Sequence, residues 1–313
     1  MTIPGVPMRL TLLLTPLLAA CQPTVSYEYP QEFDGQAAHA YVARQMEFGH
    51  RIPGTEPHAA MAAWLEEHLR GVADEVVVQR WNHTAASGAA LPMVNVIARF
   101  RPELQDRILY LAHWDTRPIS DAPASSDPTA PMPGANDGGS GVAILLGVAD
   151  ALRALPAGIG VDLLFVDGED YGDFGTDTDV LIGSKYYAQH QLQGPRPRFA
   201  VLFDIVGHEG AVFDKEGYSV IAAPRVVDLV WEVAAQLGYQ ETFVPRVGIQ
   251  ITDDHVPLQR AGIAAIDIIG YGNYEHWHTP DDTLDKISAG MLQIVGDVAM
   301  AVLRREGGQA ARQ

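Results

Sequence analysis

The sequence predicts one α/β domain, built as three layers (α/β/α) around a mixed, largely parallel central sheet. Segments with helical spacing alternate with short apolar segments, as in strands joined by crossover helices. The segment 161–166 is almost continuously apolar, which is typical of a strand buried on both faces. With 313 residues, 47% of them hydrophobic, the chain can bury an ample core, and we find no repeat or second domain.

The first half of the domain is expected to contain two helices and then three strands. Ala, Met, Leu and Trp recur at helical spacing over 36–48 and 56–72, and Thr55 is placed to cap the second helix. The strand-like segments that follow are 76–81, 94–100 and 108–112. Residues 115–137 contain five prolines and predict a long loop, which in a compact domain usually has a function.

The second half continues the alternation of helices and strands. Ser140 begins a helix with an apolar face, and the strand 161–166 leads into a loop rich in Gly and Asp at 168–179. The remaining predicted elements are strands at 200–203, 220–222 and 264–269, and helices at 226–237 and 288–304.

The charge of the chain excludes one class of partner. Lys and Arg number 21 against 39 Asp and Glu, which gives a net charge of -18. Nucleic acid binding needs basic surface that replaces counterions, so we expect no nucleic acid partner. Otherwise the acidity indicates a solvated surface and is only weakly informative about substrates.

The N-terminus predicts export and lipid attachment. Residues 10–18 form an apolar run too short to span a bilayer, and the small residues after it are typical of an export signal. The only cysteine is Cys21, and 18–21 (LAAC) resembles the bacterial lipobox, although a cleaved signal with an incidental cysteine is the alternative. The start codon, Met1 or Met8, stays open. Gln22 would imply the periplasmic side of the outer membrane in a Gram-negative host.

These features divide the chain into four predicted parts. Residues 1–20 are a signal peptide, 21–33 a polar tether, 34–306 the single catalytic domain and 307–313 a C-terminal tail. We expect a monomer in the cell envelope that contacts the membrane only through its lipid.

Acidic and histidine side chains follow three of the predicted strands. His113 and Asp115 come after the strand ending at 112, Glu169 and Asp170 after the strand ending at 166, and Asp204 after the strand ending at 203. The carboxyl ends of parallel strands meet at one edge of a sheet, where open α/β sheets build their sites. We therefore expect these residues to lie together.

These residue types suit zinc. Imidazole nitrogen and carboxylate oxygen are zinc ligands, and a catalytic zinc keeps one position open. Asp137 in a glycine-rich turn and the late His278 extend the set, which leaves one carboxylate spare as general acid/base. Each residue alone could be a structural histidine, a turn residue or a solvated acid, and only their joint occurrence indicates a site.

Six segments together resemble one family. They are 48–55 (FGHRIPGT), 112–118 (AHWDTRP), 167–172 (DGEDYG), 204–207 (DIVG), 252–257 (TDDHVP) and 277–279 (WHT). In this order they are similar to the zinc exopeptidase superfamily that includes the aminopeptidases, and within it to the animal-type glutaminyl cyclases and their bacterial counterparts. The resemblance covers nearly the whole chain from 48 onward and implies a zinc exopeptidase-like fold.

The resemblance also implies roles for individual residues. One zinc per chain would be held by Asp137, Asp170 and His278, with Glu169 as the proton shuttle. Other implied site residues are Asp204 and Asp253 as a hydrogen-bonded acidic pair, Trp277 and Trp114 in the substrate pocket, and His113 and Asp115 at a second metal position or behind the ligands. The substrates would be peptides or proteins with an N-terminal glutamine, cyclised to pyroglutamate with release of ammonia.

The chain departs from the animal enzymes at three positions. Asp170 stands where they have Glu, as in the bacterial relatives, Ala112 stands where they have Cys, and Asp267 stands where they have His, which leaves the role of Asp267 open. The alternative function is a two-metal aminopeptidase, in which Glu169 would activate a metal-bound water and His113 and Asp204 would be ligands. A non-catalytic binding module is disfavoured, because no proposed ligand has been replaced by a non-ligating residue.

Overall fold

The computed structural model describes residues 1–2, 29 and 31–310. Cys21 and nearly all of the predicted signal peptide lie outside these residues, so their interpretation stays a prediction from sequence. Among the described residues, no helix is both long enough and apolar enough to cross a membrane.

The strands form one large and one small sheet. In chain order they are β1 (Glu75–Thr84), β2 (Ala90–Phe100), β3 (Arg107–His113), β4 (Gly160–Val166), β5 (Ala200–Asp204), β6 (Phe213–Lys215), β7 (Phe243–Val247) and β8 (Ala265–Ile269). The central sheet has the order β1-β2-β4-β3-β5-β8, and β6 pairs with β7. Strands β3, β4, β5 and β8 are parallel, while β1 and β2 pair antiparallel at one edge. The predicted α/β fold with a mixed, largely parallel sheet is confirmed.

The helices cover the central sheet. They are α1 (Gly35–Met46), α2 (Glu56–Arg70), α3 (Gly139–Ala154), α4 (Ile182–Gln189), α5 (Gly217–Ala222), α6 (Pro224–Gln236), α7 (His255–Arg260) and α8 (Ala289–Ala310). The predicted cap is present, because the Thr55 hydroxyl accepts a hydrogen bond from the backbone N–H of His58. Strands β6 and β7 and helices α4 and α7 were not predicted.

The prediction of a strand at 220–222 is wrong, since these residues end helix α5. The Glu216 carboxylate accepts hydrogen bonds from the backbone N–H groups of Tyr218 and Ser219, and so caps the first turn of the helix. This local cap outweighs the strand propensity of Val220 and Ile221.

The ends of the domain extend beyond the predicted bounds. Phe33, assigned to the tether, is buried in the core against Gly147 and Gly296. A Cβ atom on Gly296 would lie 2.2 Å from the Phe33 ring, so the glycine makes room for it. At the other end, the predicted tail begins too early, because α8 continues through Ala310.

Candidate active site

The register of the parallel strands brings the predicted site residues to one edge. His113 at the end of β3 lies opposite Val166 at the end of β4, and β5 ends at Asp204. The loops that follow line a cavity of about 580 Å³. The predicted residues among its walls are Asp137, Glu169, Asp170, Asp204, Asp253, Trp277 and His278.

Asp137, Asp170 and His278 form a group that could hold a metal ion. Each offers a ligand atom, and these atoms lie within 4.8 Å of one another. His278 Nε2 is 3.4 Å from Asp170 Oδ1 and 3.7 Å from Asp137 Oδ2. In the part of the chain that the structure describes, Asp170 Oδ2 is buried without a hydrogen-bond partner. Burial, with the charges of Asp170 and Asp204, raises the pKa of Asp137 to about 6. Two buried carboxylates, one of them with an oxygen that has no hydrogen-bond partner, and an imidazole fit a divalent cation such as zinc.

Two residues that the sequence interpretation missed hold these ligands in place. Asp121 Oδ1 accepts a hydrogen bond from His278 Nδ1 at 2.9 Å, so the Nε2 atom of His278 faces the cavity. Arg117 donates to both oxygens of Asp121 and, at 2.8 Å, to Asp170 Oδ1. The hydrogen bond with His278 lowers the pKa of Asp121, and Arg117 adds to this effect. A carboxylate that accepts a hydrogen bond from a ligating histidine is a recurrent feature of metal sites. In the sequence, the position of Asp121 in the long proline-rich loop was the signal that could have indicated this role.

We expect Asp121→Asn to weaken metal binding about 10- to 100-fold, because the amide has no charge with which to polarise the imidazole. Competition with a chromogenic chelator measures this effect. Asp127→Asn in the same loop is the matched control, since the Asp127 side chain accepts hydrogen bonds from the backbone and hydroxyl of Thr129 in its own turn and does not line the cavity. Equal zinc affinities of the two variants would contradict the role of Asp121.

Asp115 supports the acidic turn after β4 from behind. Its two carboxylate oxygens accept the backbone N–H groups of Glu169 at 3.0 Å and of Asp170 at 3.2 Å. Asp282, which was not predicted, does the same for the backbone N–H groups of Asn136 and Asp137. Asp115 is therefore placed to orient the turn.

His113 belongs to a second possible metal group, with Asp137 and Asp204. Its Nε2 atom lies 3.1 Å from Asp137 Oδ1 and 3.2 Å from Asp204 Oδ1, and the side chain is fully buried. Burial lowers the pKa of His113, but contacts with Asp115, Asp137 and Asp204 outweigh this and raise it well above the ordinary value. The imidazole does not line the cavity, in contrast to that of His278.

Glu169 is the carboxylate left over beside the ligand group. It lines the cavity and is not a member of either possible metal group among the described residues. Burial raises the pKa of Glu169 well above its ordinary value, and the charge of Asp170 adds to this while that of His113 opposes it. A carboxyl group with a raised pKa next to an open cavity suits proton transfer near neutral pH.

Asp204 and Asp253 both line the cavity, but the predicted hydrogen bond between them is absent from the described residues. Asp204 Oδ1 faces His113, while Asp253 Oδ1 accepts the backbone N–H of Asp254 and Asp253 Oδ2 has no partner. Each carboxylate faces a hydrogen-bond donor. A second ionised carboxylate has no hydrogen to donate, so the two acids do not pair with each other. Burial raises the pKa of both to about 6.

The two tryptophans have different environments. Trp277 lines the cavity, where its ring stacks on His278 at a centroid distance of 3.8 Å. Trp114 is fully buried away from the cavity, with its Nε1 donating to the carbonyl of Val94 and its ring stacked on His58. Trp114 therefore does not form part of the pocket, because its ring packs in the core against His58 and hydrogen-bonds to the carbonyl of Val94.

Asp267 lies outside the cavity, in a buried network behind Asp253. His255 Nδ1 is 3.9 Å from Asp267 Oδ2, and His255 Nε2 is 3.2 Å from Glu216 Oε2. Glu216 also accepts the backbone N–H of Ile251 at 2.9 Å, and so fixes the segment that leads to Asp253. Asp267 is therefore a buried acid beside His255, and among the described residues neither of its carboxylate oxygens has a hydrogen-bond partner.

The α/β fold, and the group of acidic and histidine residues that could hold a metal ion at the carboxyl ends of its parallel strands, together indicate the class of protein. The chain belongs to Peptidase family M28, whose model matches residues 95–303.

Within this class the chain is similar to solved glutaminyl cyclases. The enzyme from Bacteroides thetaiotaomicron, bound to N-acetylhistamine, has 38% identity and a TM-score of 0.84 over 88% of this chain and 99% of that one. The glutaminyl cyclase of Porphyromonas gingivalis has 40% identity and a TM-score of 0.83 over 88% and 99%. A structure described as a leucine aminopeptidase precursor from Bacteroides thetaiotaomicron has 38% identity and a TM-score of 0.85 over 88% and 98%.

A curated relative is more distant. Aminopeptidase YwaD of Bacillus subtilis is 28% identical over 210 residues, which make up 63% of this chain but only 40% of that protein.

Proposed function

We propose that the protein is a zinc-dependent glutaminyl-peptide cyclotransferase, which converts an N-terminal glutamine to pyroglutamate and releases ammonia. One observation carries this proposal: a single cavity is lined by the ligand group, the spare Glu169 and the ring of Trp277. Similarity over nearly the full length of two solved glutaminyl cyclases supports it. We expect one zinc per chain, held by Asp137, Asp170 and His278.

The residues suggest how the reaction is catalysed. Glu169 accepts a proton from the substrate α-amine, whose nitrogen then forms a bond to the side-chain amide carbon. The bond from this carbon to the amide nitrogen breaks, and Glu169 returns the proton, so that the leaving group departs as ammonia. A zinc ion held by Asp137, Asp170 and His278 would supply a Lewis acid for a carbonyl group of the substrate. Trp277 packs against the substrate, and Asp204 and Asp253 supply negative charge that attracts its amine.

A zinc aminopeptidase is the second candidate, and one observation favours it. His113, Asp137 and Asp204 form a second possible metal group that shares Asp137 with the first. A two-metal hydrolase needs such a pair of sites. In the proposed cyclase this group holds no second metal, and His113 offsets part of the negative charge of Asp137 and Asp204 through its contacts with both carboxylates.

Incubation with a glutamine-initiated peptide tests the proposal. A cyclotransferase releases ammonia and leaves the peptide lighter by one ammonia molecule, with every peptide bond intact. A leucine-initiated peptide of the same length is the control, since a cyclotransferase leaves it unchanged. Release of free leucine with two tightly bound zincs per chain would establish the aminopeptidase instead.

We also propose that the protein is exported and lipid-anchored at Cys21 as a monomer, on the periplasmic side of the outer membrane if the host is Gram-negative. The export and the lipid anchor are inferred from the first 22 residues of the sequence. We expect Cys21→Ser to lose the lipid and move the protein from the membrane fraction to the soluble fraction. Labelling with a radioactive fatty acid measures the change, and equal labelling of both forms would contradict the anchor.

A further inference from the structure

A second cavity lies beside the active-site cavity. It has a volume of about 420 Å³ and shares four wall residues with the first cavity. The shared residues are Ile249, Ile251, Ile269 and Tyr271. The two cavities therefore adjoin along these four side chains, which form a ridge between them, and a peptide that left the first cavity across this ridge would enter the second.

The second cavity is lined mainly by apolar side chains. Beyond the ridge its walls include Val212 and Val247, and a rim ion pair joins Arg246 to Asp214 at 2.8 Å. Val247 and Ile249 are 61% and 65% exposed, although both are large apolar residues. Exposed apolar surface beside a concave site indicates binding of an apolar group.

Charge does not dominate this cavity. Asp214 is paired with Arg246 at the rim. The carboxylate of Glu216 is buried and already accepts hydrogen bonds from Tyr218, Ser219 and Ile251. Of the oxygens of these two carboxylates, Asp214 Oδ1 alone has no hydrogen-bond partner among the described residues, and the charge of this carboxylate is balanced by Arg246 at Oδ2. The remaining lining is mainly apolar and favours an apolar occupant.

The ridge is held in place before any ligand binds. The backbone N–H of Gly217 donates to the carbonyl of Ile249 at 2.8 Å, and that of Gly248 donates to the carbonyl of Lys215 at 2.8 Å. The Glu216 carboxylate accepts a hydrogen bond from the backbone N–H of Ile251 at 2.9 Å. A wall ordered in advance lowers the entropic cost of binding.

We propose that this cavity is a subsite for the third residue of the substrate peptide and that it selects a large apolar or aromatic side chain there. The proposal rests on the proposed function. In an extended peptide the side chains of residues one and three point to the same face, roughly 7 Å apart, while that of residue two points away. With the N-terminal glutamine in the first cavity, residue three is the first whose side chain can cross the ridge.

Product peptides test the subsite without relying on turnover. We expect the zinc-loaded full-length protein to bind pyroglutamyl-Gly-Phe-amide about tenfold more tightly than pyroglutamyl-Gly-Gly-amide, measured by calorimetry, because one aromatic side chain leaves water. Pyroglutamyl-Phe-Gly-amide should bind like the glycine peptide. Equal affinity for all three peptides, or a preference for Phe at residue two, would overturn the proposal.

Two matched variants place the effect at the cavity. Val247→Ser is expected to reduce the Phe preference to about threefold or less, because Val247 lines only the second cavity. Ile221→Ser should keep the wild-type preference, since Ile221 is equally exposed, at 69%, and lines neither cavity. An unchanged preference in Val247→Ser would contradict the assignment.

Different results would reject the proposed subsite and the proposed function. Lack of ammonia release from Gln-Gly-Gly-amide and Gln-Gly-Phe-amide alike would reject the cyclotransferase. Normal ammonia release together with equal affinity for the product peptides would reject only the subsite.

Discussion

Glu169→Gln is expected to lower the rate of ammonia release by about a thousandfold while the protein keeps its zinc. General acid–base catalysis contributes about 10²- to 10⁴-fold, and the amide can neither accept the amine proton nor return it. Zinc is retained because Glu169 is outside the ligand group. Single-turnover assays with a glutamine-initiated peptide, together with metal analysis, measure both quantities.

The matched control for this change is Glu103→Gln. Glu103 is far more exposed, at 61% of its side chain, and pairs with Arg101 away from the cavity, so its replacement should leave turnover at the wild-type level. A Glu169→Gln enzyme that cyclises glutamine within about threefold of the wild-type rate would refute the proton-shuttle role.

Asp170→Ala and His278→Ala are expected to lose zinc and activity together, with turnover reduced by at least about a thousandfold. Each change removes a ligand whose partners in the group lie within 4.8 Å, and the two remaining ligands bind zinc weakly. Loss of Asp170 also removes one of the two ion partners of Arg117, the other being Asp121. Zinc per chain, measured by atomic absorption after dialysis, and ammonia release should fall in parallel.

Neighbouring residues of the same type serve as controls. Asp177→Ala removes an exposed carboxylate that pairs with Lys185, and His276→Ala removes an imidazole whose charged neighbour is Glu275. Both should retain full zinc. Thermal melting without added metal separates loss of zinc from loss of the fold. If Asp170→Ala or His278→Ala bound zinc with the wild-type stoichiometry, the ligands would be misassigned.

Much of the fold was accessible from the sequence because its signals are local. The nearly continuous apolar run of β4 and the helical face after Ser140 depend only on neighbouring residues, and both elements form close to their predicted bounds. Where a local cap competed with propensity, the prediction was wrong: the Glu216 carboxylate turns 217–222 into a helix.

Part of the site was predicted because topology gathers it, while the full ligand set of Asp137, Asp170 and His278 was implied by the resemblance to the glutaminyl cyclases. Residues that follow parallel strands emerge at one edge whatever their separation in sequence, so the positions of Asp170 and Asp204 followed from the strand pattern alone. The direction of each side chain did not follow. Trp114 follows the predicted strand 108–112, a position that does not fix where its ring points. Only its packing against His58 and its hydrogen bond to the carbonyl of Val94 show that the ring points into the core.

By itself, the sequence determined the α/β class, the edge of the sheet that carries the site, and the kinds of side chain gathered there. Only the tertiary structure decided which donor each carboxylate faces. Asp121 supports His278 across 157 residues of sequence, and Asp253 faces a backbone amide and not Asp204. Hydrogen-bond partners depend on distances of a few tenths of an ångström between segments far apart in the chain, and residue patterns carry no such information.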